Sequence, residues 1–254
     1  MRETDAPARS RARRRPAGCE RSGVKAFVLA GGLGTRLQSR FGDLPKPLVP
    51  VAGRPFLERQ IEWLARHGMR EIVLCVGYGA DRVRAALGDG AALGVTLRYS
   101  AEPEPLGTAG ALRLAASHVD GPACVLNGDT LASCDPWSLE RARWERGKLG
   151  AVALYEVDDA RAVGRVECDR DDRVTRFIEK DPDHRGPASV SGGMYAFGPA
   201  LWEWLPASGP ASLERDVLPR LAQAGQLLGY HSAGEFFDIG TPEQWERAER
   251  HFTA

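Results

Sequence analysis

From Val24 onward the chain sets short apolar runs between segments of helical periodicity, and this alternation restricts its architecture more than any other feature. Residues 25–29, 71–76, 96–100 and 123–127 are apolar runs of strand length, bounded by Gly, Pro or Asn. Residues 56–67, 80–87 and 108–117 carry the apolar spacing of helices. Strand, helix, strand in that order builds βαβ units on a mostly parallel sheet. Further strands are expected at 151–157, 165–168, 174–178, 190–197 and 227–231. The link 169–173 between two of them is too short for a crossover helix and requires an antiparallel turn. The expected architecture is therefore α/β: a Rossmann-like three-layer αβα domain with a mixed sheet. Two helix starts are legible, Asp135 before Pro136, and Thr241-Pro242-Glu243-Gln244, where a cap, an N1 proline and an N3 glutamine coincide.

At 254 residues one such domain buries a large core, and residues 23–254 are read as a single domain. The first 22 residues carry Arg9, Arg11, Arg13, Arg14 and Arg15 beside Pro7 and Pro16, with no apolar periodicity. They are expected to form a disordered Arg-rich tail. Lys plus Arg and Asp plus Glu each number 34, so no global field recruits nucleic acid or an anionic membrane. An anionic partner must be held locally. No run approaches the ~18 apolar residues that span a bilayer, and the N-terminus has no apolar secretory segment. Five scattered cysteines without a C-x-x-C pair fit reduced thiols, so a cytoplasmic protein is expected. The histidines are mutually distant and show no metal-ligand spacing.

The stretch "FVLAGGLGTRLQSRFGDLPKPLVPVAGRPF", residues 27–56, carries the chemistry. A strand that ends in glycines and turns into a basic segment brings backbone N–H groups close to phosphate oxygens. Neither familiar phosphate loop fits. No window supplies G-x-x-x-x-G-K-[ST], and Gly32-Leu33-Gly34-Thr35-Arg36 is followed by Leu37 where a dinucleotide loop needs its third glycine. The end of the second strand, Cys75-Val76-Gly77, also lacks the ribose-binding carboxylate. The glycines, Arg36, Pro45-Lys46-Pro47 and Pro50-Val51 together resemble the signature of sugar-1-phosphate nucleotidylyltransferases, which make NDP-sugars from an NTP and a sugar 1-phosphate. The resemblance runs from residue 24 to about residue 252 and implies the nucleotide-diphospho-sugar transferase fold. It implies that Ala30, Gly31, Gly32, Gly34 and Thr35 bring backbone to the nucleotide, while Arg36 and Lys46 act on its phosphates. Two unit charges ~4 Å apart repel by roughly 4 kcal/mol at an effective dielectric of about 20. Fixed cations are thus needed where a sugar phosphate meets a triphosphate, and Lys46 sits on backbone stiffened by two prolines.

Asn127-Gly128-Asp129 closes one apolar strand and Asp238-Ile239-Gly240 follows another, at the strand ends where open α/β sheets bind ligands. Magnesium prefers one or two carboxylates together with phosphate oxygens and water. By resemblance Asp129 and Asp238 share the cofactor Mg²⁺. GT-A glycosyltransferases, a rival of similar architecture, need a D-x-D motif, which Asp129-Thr130-Leu131 does not supply. "EPEPLGTAGAL", residues 102–112, is similar to the family's base-reading loop, with Glu102 at its front and Gly107-Thr108 opening a helix. Guanine offers two adjacent donors on its Watson–Crick edge, which suits a carboxylate and favours GTP. "RFIEK", residues 176–180, resembles the acceptor-side pair, Glu179 for sugar hydroxyls and Lys180 for the sugar phosphate. Asn127, Gly164, Ser191 and Gly192 would complete the sugar pocket, Ser191 standing where many members have asparagine. Through "NGDT", "EPLGTAGA" and "FFDIGTPEQW" the chain is most similar to D-glycero-α-D-manno-heptose 1-phosphate guanylyltransferases. The alternatives are mannose 1-phosphate with GTP, a hexose or muramate-like phosphate with UTP, and a non-catalytic nucleotide-sugar sensor.

Overall fold

The computed structural model describes residues 23–160, 164–178 and 183–253. The Arg-rich segment, Glu179 and Lys180 lie outside the described residues. Strand β1 (Lys25–Ala30) leads through a 3₁₀ turn (Thr35–Leu37) and a short helix α1 (Gln38–Phe41) to a ribbon of β2 (Pro50–Val51) and β3 (Arg54–Pro55). Helix α2 (Phe56–Arg66) precedes β4 (Glu71–Val76), α3 (Ala80–Leu87) precedes β5 (Thr96–Ala101), and α4 (Gly107–Leu114) precedes β6 (Ala123–Asn127). Then come β7 (Thr130–Ala132), α5 (Pro136–Glu145), β8 (Gly150–Val157), β9 (Arg165–Cys168), β10 (Val174–Ile178) and β11 (Ala188–Phe197). A π-helical turn (Leu213–Val217) runs into α6 (Leu218–Gln223), followed by β12 (Leu227–His231), β13 (Phe236–Asp238) and α7 (Pro242–Thr253).

The main sheet runs β10-β9-β11-β6-β1-β4-β5, with β8 beside β11 and β12 beside β8. Strands β6, β1, β4 and β5 are parallel, whereas β11 is antiparallel to both β6 and β8. The sheet is mixed as expected, and the 169–173 link makes the antiparallel β9–β10 turn, closed by Asp169 N–H donating to Arg173 O.

Alternation along the strands explains the three layers. Val28, Leu74 and Leu126 face one side, under Leu57, Ile61 and Leu64 of α2. Phe27, Val73 and Val125 face the other, against Leu112 of α4 and Leu218 and Leu221 of α6. Strands buried on both faces have to be apolar throughout, which is why these runs carry so few polar residues. Cys75 and Cys124 are buried in this core, and the four described cysteines are free. No described helix is long and apolar enough to cross a membrane.

A third, smaller cluster positions the site. Leu37, Val49, Val51, Phe56, Leu131, Ile239 and Trp245 pack together, joining the segment after β1 to β7, β13 and α7. Each fully buried aliphatic side chain of this kind contributes roughly 1.5–3 kcal/mol. Trp245 Nε1 donates to Pro50 O at 2.8 Å, and Glu249 accepts from Ala52 N–H at 2.6 Å, so α7 is bolted to the ribbon that follows Lys46. Both legible caps form. The Asp135 carboxylate accepts from Trp137 and Ser138 N–H, and Thr241 Oγ1 accepts from Gln244 N–H.

Candidate active site

The site begins where the parallel neighbours β1 and β6 end together, Leu29 opposite Asn127. Gly128 N–H donates to Leu29 O at 2.9 Å, and a Cβ at Gly128 would stand 2.7 Å from that oxygen. Only glycine permits the approach, which lays the turn carrying Asp129 against the glycine loop. The loop then folds onto Lys46. Gly34 has φ +63°, and a Cβ there would lie 2.8 Å from Lys46 Cβ. The Lys46 ammonium donates to Asp129 Oδ2 at 2.5 Å, and its side chain is only 11% exposed, so this pair is far less screened than a surface ion pair.

Asp238 arrives from the other end of the chain along the antiparallel β7–β13 ladder. It pairs with Thr130, and Ile239 N–H donates to Asp129 O at 2.9 Å. Its Oδ1 accepts from Gly240 N–H. Burial, and then the charge of Asp129, push the Asp238 carboxyl up to about 6, against the opposing pull of Lys46 and Arg36. The two acids face one cavity, each within reach of the other's charge. Oxygen-only donors in that state suit a hard divalent cation. No group of three or more His, Cys, Asp or Glu among the described residues is placed to hold a metal, so an ion here needs further oxygens from phosphate or water.

Two cavities meet at this point. A smaller one of about 400 Å³ is walled by Ala30, Gly31, Gly32, Gly34, Thr35 and Lys46. A larger one of about 880 Å³ is walled by Asn127, Gly164, Ser191, Gly193, Tyr195 and Asp238, among others. Arg36 and Asp129 line both. Gly240 makes room for the arginine, since a Cβ there would lie 3.1 Å from Arg36 Nη2. In the larger cavity Asn127 Oδ1 is buried without a hydrogen-bond partner, an acceptor awaiting a donor.

Four of the anticipated residues sit outside both walls. Glu102 lies behind the glycine loop: a Cβ at Gly31 would fall 2.1 Å from Glu102 Oε1, and one at Gly77 2.5 Å from it. Gly31 therefore admits a carboxylate as well as bordering the cavity, and Gly77, at the end of β4, shares that task. Glu102 Oε2 accepts from Leu106 N–H at 2.9 Å, and burial raises its carboxyl above the usual range. Gly107, at φ +71°, packs on Ala211, where a Cβ would meet the carbonyl oxygen at 2.5 Å. The Thr108 hydroxyl donates to Glu214 Oε2 at 2.8 Å and accepts from Leu213 N–H at 2.7 Å. Gly192 turns toward the Tyr155 ring, and its neighbour Gly193, at φ +67°, is the one on the cavity wall.

One contributor went unforeseen although a signal for it exists. Gln60 is fully buried on α2, in the stripe of Phe56, Leu57, Ile61 and Leu64. Its Nε2 donates to Asn127 O at 2.9 Å and to Thr130 O at 2.5 Å, clamping the turn that presents Asp129. A lone amide in an otherwise apolar helix stripe is the mark of such a clamp.

The nucleotidyl transferase family model matches residues 25–254. Mannose-1-phosphate guanylyltransferase of Mycobacterium tuberculosis is 36% identical over 228 residues, 88% of this chain and 63% of that protein. The catalytic subunit beta of mannose-1-phosphate guanylyltransferase of Drosophila pseudoobscura pseudoobscura is 35% identical over 228 residues, 88% of this chain and 61% of that protein. The chain thus spans somewhat under two thirds of the length of these curated relatives. The structure of HddC from Yersinia pseudotuberculosis complexed with GMP-PN superimposes with a TM-score of 0.80 at 31% identity, covering 90% of this chain and 99% of HddC. A Bacillus anthracis protein solved in complex with a sucrose superimposes with a TM-score of 0.82 over 91% of this chain and 96% of its own, and at 23% identity it speaks to the fold alone.

Proposed function

The chain belongs to the nucleotidyl transferase family, and from that premise we propose that it transfers GMP from GTP to a sugar 1-phosphate, giving a GDP-sugar and pyrophosphate. The acceptor in this reading is D-glycero-α-D-manno-heptose 1-phosphate. Its rival is mannose 1-phosphate, after which the guanylyltransferase relatives are named. The observation that carries the reading is the meeting of the two cavities on Arg36 and Asp129. One cavity takes the nucleotide and the other the sugar phosphate, so their phosphates come together at that junction.

The reaction needs no protein nucleophile. An oxygen of the sugar phosphate attacks the α-phosphorus in line, and the bond to the pyrophosphate oxygen breaks, leaving pyrophosphate with the electron pair. Positioning and charge neutralisation are what the residues supply. The glycine loop presents backbone to the triphosphate, while Arg36 and Lys46 offset the negative charge gathered at the α-phosphorus. Asp129 and Asp238 are the residues that would hold Mg²⁺, which when bound supplies charge neutralisation across the phosphates. Asn127 Oδ1, buried and unpartnered, is the acceptor for a hydrogen bond from a sugar hydroxyl. Glu179 and Lys180 keep the acceptor-side roles implied by resemblance. Glu102 is assigned to base choice, with Oε1, beside Gly31, as the oxygen not taken by Leu106 N–H. The likeness to HddC complexed with GMP-PN supports a guanine nucleotide.

The test is direct. Purified protein is incubated with Mg²⁺, each of the four NTPs and each of the two sugar phosphates, and products are identified by mass spectrometry. GDP-heptose or GDP-mannose with released pyrophosphate is the expected result. No nucleotide sugar from any pair overturns the proposal.

A further inference from the structure

The larger cavity contains two carboxylates that neither the metal pair nor the acceptor-side pair explains, Glu214 and Glu243, and of these Glu243 is exposed on the first turn of α7 while Glu214 is half-buried. Glu214, on the π-helical turn, lines it together with Ser191, Gly193 and Tyr195. Its Oε2 accepts from Thr108 Oγ1 at 2.8 Å and from Ser212 Oγ at 3.0 Å. Each hydroxyl is itself oriented by a backbone donor, Thr108 by Leu213 N–H at 2.7 Å and Ser212 by Arg215 N–H at 3.2 Å. A hydroxyl that accepts from an amide has its single proton free, and here both protons go to one oxygen of the same carboxylate. A carboxylate has about four acceptor sites; with the Thr108, Ser212 and Tyr195 hydroxyls engaging Glu214, one is left for whatever occupies the cavity. Tyr195 stands beside it as a neutral phenol, because burial and then the charge of Glu214 hold its proton on. Ser191 Oγ lies 3.3 Å from the Tyr195 hydroxyl. This part of the wall thus sets the Ser191 and Tyr195 hydroxyls beside a fixed carboxylate, a surface suited to the hydroxyls of a sugar, while Arg36 and Arg215 line the same cavity and suit its phosphate.

We infer that Glu214 is a specificity-determining residue that accepts a hydrogen bond from a hydroxyl of the sugar ring or its exocyclic arm, with Thr108 and Ser212 as the positioning residues that aim it. The inference rests on the proposed nucleotidyl transfer and adds to it the residue that chooses the sugar. It also gives Thr108 a new task. Thr108 heads the helix after the base-reading loop, yet its hydrogen bonds serve the sugar side.

The π turn explains why a glutamate can do this. Leu213 and Val217 anchor it in the core, and Glu214 stands partly exposed between these two anchors. Pro219, two residues beyond the turn, lies on the same cavity wall, so the turn has little freedom to carry Glu214 away.

Glu214→Gln keeps an oxygen for Thr108 and Ser212 and the size of the side chain, and replaces the carboxylate's other acceptor by a donor, so the turn keeps its shape while the anion is lost. Binding of heptose 1-phosphate and mannose 1-phosphate by calorimetry, with KM for sugar phosphate and for GTP, is compared with the parent protein. Loss of one charge-assisted hydrogen bond predicts sugar-phosphate affinity weakened about tenfold and KM for GTP changed by less than about twofold. Thr108→Val should reproduce the loss and Thr108→Ser restore it, a rescue that a purely structural role for the hydroxyl's bulk does not predict. Unchanged sugar affinity and KM in Glu214→Gln, with the parent protein active, overturns the inference and leaves nucleotidyl transfer standing. A parent protein that binds neither sugar phosphate and forms no nucleotide sugar overturns the proposed function and this inference with it.

Discussion

The two cavities that share Arg36 and Asp129 are built in opposite ways. Apart from Asp129, Gly128, Pro105 and Gly240, the smaller one comes from two nearby stretches, residues 29–36 and 46–47, in which glycines expose backbone and two cations are fixed. The larger one is assembled from side chains of many segments, among them Asn127 at the end of β6, Ser191 on β11, Glu214 on the π turn and Asp238 at the end of β13. A triphosphate is common to many reactions and is read by charge and backbone N–H groups, which one loop can provide. A sugar differs from its isomers only in where its hydroxyls point, so reading it requires acceptors and donors placed from several directions. The division teaches that phosphate handling and selectivity can sit on separate structural supports joined at a single shared edge.

The most severe way to break this division is to damage the shared edge. Asp129→Asn removes the carboxylate common to both cavities, and turnover should fall by about 10³-fold or more while the melting temperature stays within a few degrees. A variant with near-parental rates would take Asp129 out of the reaction. Asp238→Asn should be almost as damaging to activity but carries a distinctive stability signature. The Asp238 carboxyl lies at about 6 in the folded protein, above the ordinary ~3.9 of an unfolded chain. The native state therefore binds more protons between those values, and the metal-free protein loses stability as pH rises from about 4 through 6. Asp238→Asn abolishes that loss, so its melting temperature should exceed the parent's at pH 7.5, with the difference shrinking toward pH 4. Thermal melts in chelator at several pH values check this, and parallel curves for the two proteins would refute the stated cause.

The support beneath the edge is a gentler target. Gln60→Met fills the same space but strands two buried carbonyls, costing about 1–3 kcal/mol for each. The melting temperature should drop, and kcat should fall about tenfold as the turn carrying Asp129 loosens. A stability loss with unchanged kcat would confine Gln60 to folding. The smallest effect is expected at the base. Glu102→Gln should shift the ratio of kcat/KM for GTP over UTP by about tenfold toward UTP. An unchanged ratio would move base choice to other residues and leave Glu102 as the support behind Gly31 and Gly77.

The unequal construction of the cavities also explains what could be read from the chain. The glycine loop, Arg36 and Lys46 are near one another in sequence, so their association survives without knowledge of the fold. Residues 71–76, 80–87, 165–168, 174–178 and 227–231 form their elements at the anticipated bounds because apolar period and flanking turn residues agree there. The β7–β13 ladder was not visible, since strands of three residues have no period to detect, yet this ladder is what sets Asp238 beside Asp129. Residues 108–117 read as one helix, whereas α4 ends at Leu114 and a 3₁₀ turn continues to His118. Gly192 and Gly193 are indistinguishable in "SGG", and only the positive φ of Gly193 and the Tyr155 ring beside Gly192 separate the wall from the core. Glu214 was hidden for a similar reason: a π turn disrupts helical spacing, and its partners Thr108 and Ser212 declare themselves only through contacts across the fold.

The central claim is that Asp129 and Asp238, brought together from distant parts of the chain, share one divalent ion at the junction of the two cavities. Titration of Mn²⁺ into the protein with a non-hydrolysable GTP analogue, followed by electron paramagnetic resonance, tests it most directly. The account predicts one tightly held ion in the parent protein and loss of that ion in Asp129→Asn and in Asp238→Asn alike. Retention of parental Mn²⁺ affinity by either variant would contradict it.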